Sequence, residues 1–147
     1  MNAEAGKIVV GVDGSDSSLD ALRWATRQAE LTGAEIDVVV AWAIPVQYAT
    51  GAMWAENFDP EADARQMVEG IVQTVRHEHP NLTVHTEVIE GHPAPALIDA
   101  SQGVELLVVG SRGHGAFVGM MLGSVSEHCV THAQCPVVVV RHPREPA

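Results

Sequence analysis

The apolar residues of this chain gather in five short runs, at 7–12, 35–42, 83–89, 105–109 and 136–141, with helix-like segments between them. Runs such as KIVVGV, IDVVVAW, ELLVV and PVVVV are too short for buried helices. Flanked by turn residues, the first three suit strands covered on both faces, and PVVVV reads as a fifth strand. The run TVHTEVI differs. Val84, Thr86 and Val88 alternate with His85, Glu87 and Ile89, the pattern of a strand at a sheet edge.

The intervening segments have helical spacing. Leu19, Leu22, Ala25 and Ala29 fall three or four apart, with N-cap candidates at 15–18 and a stop at Gly33. Asp59-Pro60-Glu61 is a strong helix opening, and Ala64, Met67, Val68, Ile71, Val72 and Val75 continue one apolar face until Pro80-Asn81. After a turn at 91–95, residues 96–102 read as a short helix, and residues 125–132 as a last one. The stretch 43–59 has no clear period; its Tyr48, Trp54 and Phe58 either pin a long loop to the core or shield a ligand. Strands alternating with helices predict an α/β fold: an open, mostly parallel five-stranded sheet with helices on both faces. The 147 residues suit a single domain, with an ordered core at 6–142 and a loose tail at 143–147.

Charge narrows the partners. The formal net charge of −11 repels a phosphate backbone, so nucleic-acid binding is not expected. A phosphorylated small molecule remains compatible, provided that local backbone N–H groups or a helix terminus receive it. The opening MNAEAGKIVVGVDGS has no signal-peptide pattern and no apolar run is long enough to span a bilayer, so a cytoplasmic protein is expected. Cys129 and Cys135 form no CxxC and read as small apolar side chains.

In a sheet of this kind, ligands collect beyond the carboxyl ends of strands where the strand order reverses. Two segments belong there: Gly11-Val12-Asp13-Gly14-Ser15, and Gly110-Ser111-Arg112-Gly113-His114-Gly115. Gly110 lets a ligand approach the backbone, and Gly113 and Gly115 permit positive φ. The second segment leads to Gly123-Ser124, where a phosphate would meet unpaired N–H groups and the positive end of a helix dipole. Ser124 adds a hydroxyl and Arg112 a charge. In the competing reading, Ser124-x-x-Glu127 is a capping box and Ser124 serves only its own helix. No Lys follows Gly123, so this is not a Walker A loop.

The spacing of Gly110, two residues, Gly113, nine residues and Gly123-Ser124 resembles the ATP-binding signature of the universal stress protein family. KIVVGVDGSDSSLDALRWA, GHPAPALIDAS, ELLVVGSRGHG and CPVVVVR extend the resemblance over roughly residues 7–141. It implies a Rossmann-like fold binding ATP, with Mg²⁺ on the phosphates. By position it implies that Asp13 lies beside the nucleotide, that Gly11 lines the ribose side and that the backbone of Ala41 reads the adenine. Gly110, Ser111, Arg112, Gly113 and Gly115 would follow the ribose and phosphates, and Gly123, Ser124 and Val125 would hold the terminal phosphates. Val40 departs from the family's frequent histidine. The resemblance also implies a homodimer through the strand at 136–141, which as an apolar edge needs cover.

The expected function is a nucleotide-dependent switch or sensor in a stress response. Slow ATP hydrolysis or phosphoryl transfer, with Asp13 and Arg112 as the available actors, is the enzymatic alternative; a nucleotide-free dimeric interaction module is the other. His128 and His132, at i and i+4, have a usable zinc spacing but lack HExxH and a third ligand. GSVSEH lacks the nucleophile elbow.

Overall fold

The computed structural model describes residues 6–44, 58–112 and 122–141. Their elements, in chain order, are β1 (Lys7–Gly11), α1 (Asp16–Thr32), β2 (Glu35–Trp42), α2 (Pro60–Glu78), β3 (Val84–Glu90), α3 (Pro93–Ala100), β4 (Leu106–Gly110), α4 (Ser124–His132) and β5 (Val137–Val140). The strands form one sheet in the order β3-β2-β1-β4-β5, and every pairing is parallel. The order reverses between β1 and β4. Parallel pairing forces each connection to cross a face of the sheet, which is why a helix follows each strand.

The pleat divides the core in two. Ile8, Val10, Ile36, Val38, Val40 and Val108 face α1 and α2, which contribute Leu22, Ala25, Val68 and Val72. Val9, Val39, Leu107 and Val109 face the other way, where Leu97 of α3 and Cys129 of α4 cover them. Ile8, Val9, Val10, Ile36 and Val38 are at most 1% exposed, as a strand covered on both faces requires. At about 25 cal/mol per Å² of apolar surface, each such side chain contributes roughly 1.5–3 kcal/mol before chain entropy is charged against it.

Three local signals act as expected. Ser15 caps α1 by accepting from the Ser18 N–H at 3.2 Å, and Asp59 caps α2 by accepting from the Ala62 N–H at 3.0 Å. Gly33 ends α1 in the left-handed region, φ 78°, with its N–H on the Ala29 carbonyl. Alternation also places β3 at a sheet edge. One boundary is corrected: α3 starts at Pro93 rather than 96, so the stretch read as a turn holds its first residues. Proline is tolerated there because the first helical N–H groups have no intrahelical acceptor. Most of the 43–59 stretch and all of 143–147 lie outside the described residues.

Asp37 interrupts the otherwise apolar centre of β2. It is 4% exposed, and its Oδ1 finds no hydrogen-bond partner. Burial pushes its carboxyl up to about 7, helped by the hydrogen bond that the protonated group donates to Glu87 and by the negative charge of Glu87; Lys7 opposes the shift. A proton shared with Glu87 relieves the repulsion between the two carboxylates. The buried Cys129 thiol is pushed up to about 11, by burial and then by Cys135, so it stays a protonated apolar filler at neutral pH. Among the described residues, no helix is long and apolar enough to cross a membrane.

Candidate functional site

The two loops singled out in the sequence leave adjacent strands. β1 and β4 pair in register from Ile8↔Leu106 to Val10↔Val108, so Gly11 and Gly110 end side by side at the point where the strand order reverses. This is the crevice position of an open α/β sheet. Ala41, on β2, sits near the same edge opposite Ile89 of β3 and is half-buried.

The first loop is held by its own side chains. Asp13 is exposed, and its Oδ1 accepts from the Ser15 N–H at 2.9 Å. Its own N–H donates to the Ser18 hydroxyl at 3.3 Å. Gly14 adopts φ 85°, a turn that a side chain would strain. A carboxylate accepts hydrogen bonds but donates none, so Asp13 suits sugar hydroxyls and not phosphates.

The second loop is tied to both neighbouring helices. The Ser111 N–H donates to the Val140 carbonyl at 2.8 Å, and the Ser111 carbonyl accepts from the Gly123 N–H at 2.6 Å and from the Ser126 hydroxyl at 3.1 Å. The Arg112 N–H donates to the Ser17 hydroxyl at 3.2 Å. A Cβ at Gly110 would stand 2.7 Å from the Ser17 backbone, so the protein's own helix occupies that side of the glycine. Gly11 is similar but softer, facing the Leu97 side chain at 2.7 Å. Ser17, Ser126 and Leu97 therefore shape the site although nothing in the sequence marks them. Hydrogen bonds from a serine hydroxyl to a distant loop leave no periodicity to read.

The start of α4 bears on the capping-box reading of Ser124. Gly123 is the N-cap, with φ −74° and ψ 166°, and no side chain caps the helix. Ser124 is the first helical residue and exposed, so it is not the cap of a capping box. Glu127 donates its N–H to the Gly123 carbonyl at 3.0 Å. The N–H groups of Ser124, Val125 and Ser126 have no acceptor among the described residues. Val125 meanwhile packs its side chain against the core face of α3 and α4. Three N–H donors without an acceptor among the described residues, and the positive end of a helix dipole, thus lie next to Ser111 and Arg112. Gly113 and Gly115 lie outside the described residues.

The other candidates separate cleanly. His128 and His132 stack on the exposed side of α4 with ring centroids 5.5 Å apart. Among the described residues, no group of three His, Cys, Asp or Glu side chains is placed to hold a metal ion.

Comparison with known proteins gives a consistent result. The chain matches the universal stress protein family over residues 4–141. It is 36% identical over 144 residues to the universal stress protein Rv1996 of Mycobacterium tuberculosis, covering 95% of this chain and 45% of that protein. The chain therefore spans about half the length of the curated relatives it matches. Among solved structures, the universal stress protein UspA of Lactobacillus plantarum superposes with a TM-score of 0.78 at 24% identity, covering 95% of this chain and all of that one. A universal stress protein solved in complex with cAMP superposes with a TM-score of 0.68 at 25% identity, covering 94% of this chain and 98% of that one. Shared sequence along nearly the whole chain and the same all-parallel sheet lead to one conclusion: this chain belongs to the universal stress protein family.

Proposed function

We propose that the chain binds an adenine nucleotide at the β1–β4 crevice, and that the nucleotide is ATP. The uncapped start of α4 carries this reading. Three N–H donors there, without an acceptor among the described residues, adjoin the loop that bears Arg112, and they supply local positive potential in a chain whose net charge is −11. The cAMP-bound relative supports adenine as the base. Gly123, Ser124 and Val125 would take the terminal phosphates, and Gly110, Ser111, Arg112, Gly113 and Gly115 the rest of the phosphate and ribose path. Asp13 would accept from the ribose hydroxyls beside Gly11, and the backbone of Ala41 would meet the adenine. Mg²⁺ would ride on the phosphates, since it retains waters and needs few protein ligands.

Such a protein works as a switch or sensor in a stress response if nucleotide favours one of its conformations. The 43–59 stretch is the segment we expect to differ, measured as its protease sensitivity with and without nucleotide. We also propose a homodimer through β5. This edge strand carries four half-buried valines and pairs only with β4 among the described strands, leaving its other side for a second copy. Calorimetric titration of nucleotide-free protein with ATP and Mg²⁺, against AMP and cyclic AMP, tests the binding reading. One ATP per chain, lost in Gly123→Val, is expected. A folded, empty protein that takes up no nucleotide would leave the dimeric interaction module in its place.

A further inference from the structure

A groove of about 500 Å³ runs between α1 and α2, on the face of the molecule away from α3 and α4. That volume lies in the range of small-molecule sites. Leu19, Leu22, Ile71 and Val75 give it an apolar lining. The two threonines that border it add to this. Thr26 spends its hydroxyl on the Arg23 carbonyl at 2.9 Å, and Thr74 spends its own on the Gly70 carbonyl at 3.2 Å. Neither hydroxyl is therefore left without a partner at the groove.

Charge at the rim is unevenly satisfied. Arg23 pairs with Asp20 at 2.7 Å, and His79 bonds to Glu30. Arg27 lines the groove and has no hydrogen bond or ion pair among the described residues. The chain has only eight Lys and Arg side chains against 19 acidic ones, so an unpartnered arginine over an apolar groove is conspicuous. Glu78, also on the rim, opposes a second negative charge.

Gly70 is the independent observation. It sits inside α2, where glycine costs roughly 0.5–1 kcal/mol relative to alanine. Its φ is not positive, and a Cβ built on it meets nothing within 4 Å. Neither a turn nor close packing requires this glycine, and it borders the groove. At this position no side chain stands beside the groove.

We propose that the α1–α2 groove is a second ligand site, separate from the nucleotide crevice, for a small organic monoanion with an apolar body whose charged group is bound by Arg27. A guanidinium donates two parallel hydrogen bonds to a carboxylate, and the aliphatic lining removes the ligand's chain from water. Decanoate is a suitable probe below its aggregation concentration. Decan-1-ol and decyltrimethylammonium are the neutral and cationic controls with the same chain.

Calorimetric titration of the full chain should show one decanoate per molecule, about tenfold tighter than decan-1-ol, with the cation weaker still. Arg27→Ala should cost about tenfold in decanoate affinity and leave decan-1-ol unchanged. Gly70→Leu should abolish binding of both while the thermal midpoint holds or rises, because leucine favours an exposed helix position. Saturating ATP should not displace decanoate. Equal affinity for the acid and the alcohol, binding that survives both variants, competition by ATP or the absence of saturable binding would each overturn the proposal.

Discussion

Two helices begin at the same edge of the sheet, one after β1 and one after β4, and their first turns are finished differently. At α1 the protein supplies its own acceptors: the Ser15 hydroxyl takes the Ser18 N–H, while Asp13 takes the N–H of Ser15. At α4 a glycine stands at the cap, and three N–H groups have no acceptor among the described residues. Both starts carry the same dipole and the same orphan donors. The difference is that a short polar side chain takes one of these donors at α1, the Ser18 N–H, and none at α4. The capped start holds an acidic loop in place, and the start without a side-chain cap suits the anion-binding role proposed for it. The crevice between β1 and β4 therefore has an acceptor side at Asp13 and a donor side at Ser124–Ser126, which matches the sugar-to-phosphate polarity of a nucleotide.

The comparison can be broken at its hinge. Gly110→Ala puts a Cβ within 2.7 Å of the Ser17 backbone, where no flexible side chain can give way. A loss of about 2–3 kcal/mol in urea unfolding is expected, since the wedge separates β4 from α1. Unchanged stability would mean that the two loops are not held in contact as described.

A second variant asks whether stability and binding separate. Asp37 lies toward the other end of β2 from Ala41, and its carboxyl is raised to about 7. A raised carboxyl binds its proton more tightly in the folded state. Its favourable contribution is complete below the unfolded value of about 4 and is lost as pH rises through about 7. Stability should thus fall between about pH 4 and pH 7, and Asp37→Asn should flatten that fall. At pH 8 the variant should be more stable by on the order of 1–2 kcal/mol, with nucleotide affinity unchanged. An identical pH profile in the two proteins would remove Asp37 from the account.

The sharpest test makes α4 resemble α1. Gly123→Ser offers the free N–H groups an internal oxygen, so helix stability should hold or rise by a few tenths of a kcal/mol, while ATP binding weakens about tenfold. Full ATP affinity in this variant would show that the phosphates do not use the start of α4. The converse change, Ser15→Ala, should cost about 1 kcal/mol in thermal unfolding and leave ATP affinity within about twofold. A large loss of affinity there would mean that the first loop does more than position Asp13.

Much of the architecture was readable because its causes are local. The apolar runs at 7–12, 35–42 and 105–109 mark strands covered on both faces, the alternation of 83–89 marks one edge strand, and Ser15, Gly33 and Asp59-Pro60 mark helix ends by their own backbone chemistry; the valine run of β5 is half-buried at the other edge. The start of α3 was read three residues late because prolines signal both turns and first helical turns. At Ser124 the local rule misled. The pattern Ser-x-x-Glu satisfies a capping box, yet Gly123 takes the cap because the Ser111 carbonyl binds its N–H and Ser126 braces the same loop. Asp37 was hidden inside an apolar run, since only the register with β3 brings it to Glu87.

By itself, then, the sequence determined the order of strands and helices, the glycine spacing of the loop after β4 and the family that the spacing resembles, all carried by neighbours in the chain. Tertiary structure decided what depends on distant pairs: that β1 lies against β4, that Ser17 closes Gly110 while the start of α4 stays open, and that Arg27 and Gly70 border one groove. The physical reason is range. Periodicity and capping act within a turn or two of chain, whereas a site is made by side chains that only the packed sheet brings within hydrogen-bonding distance.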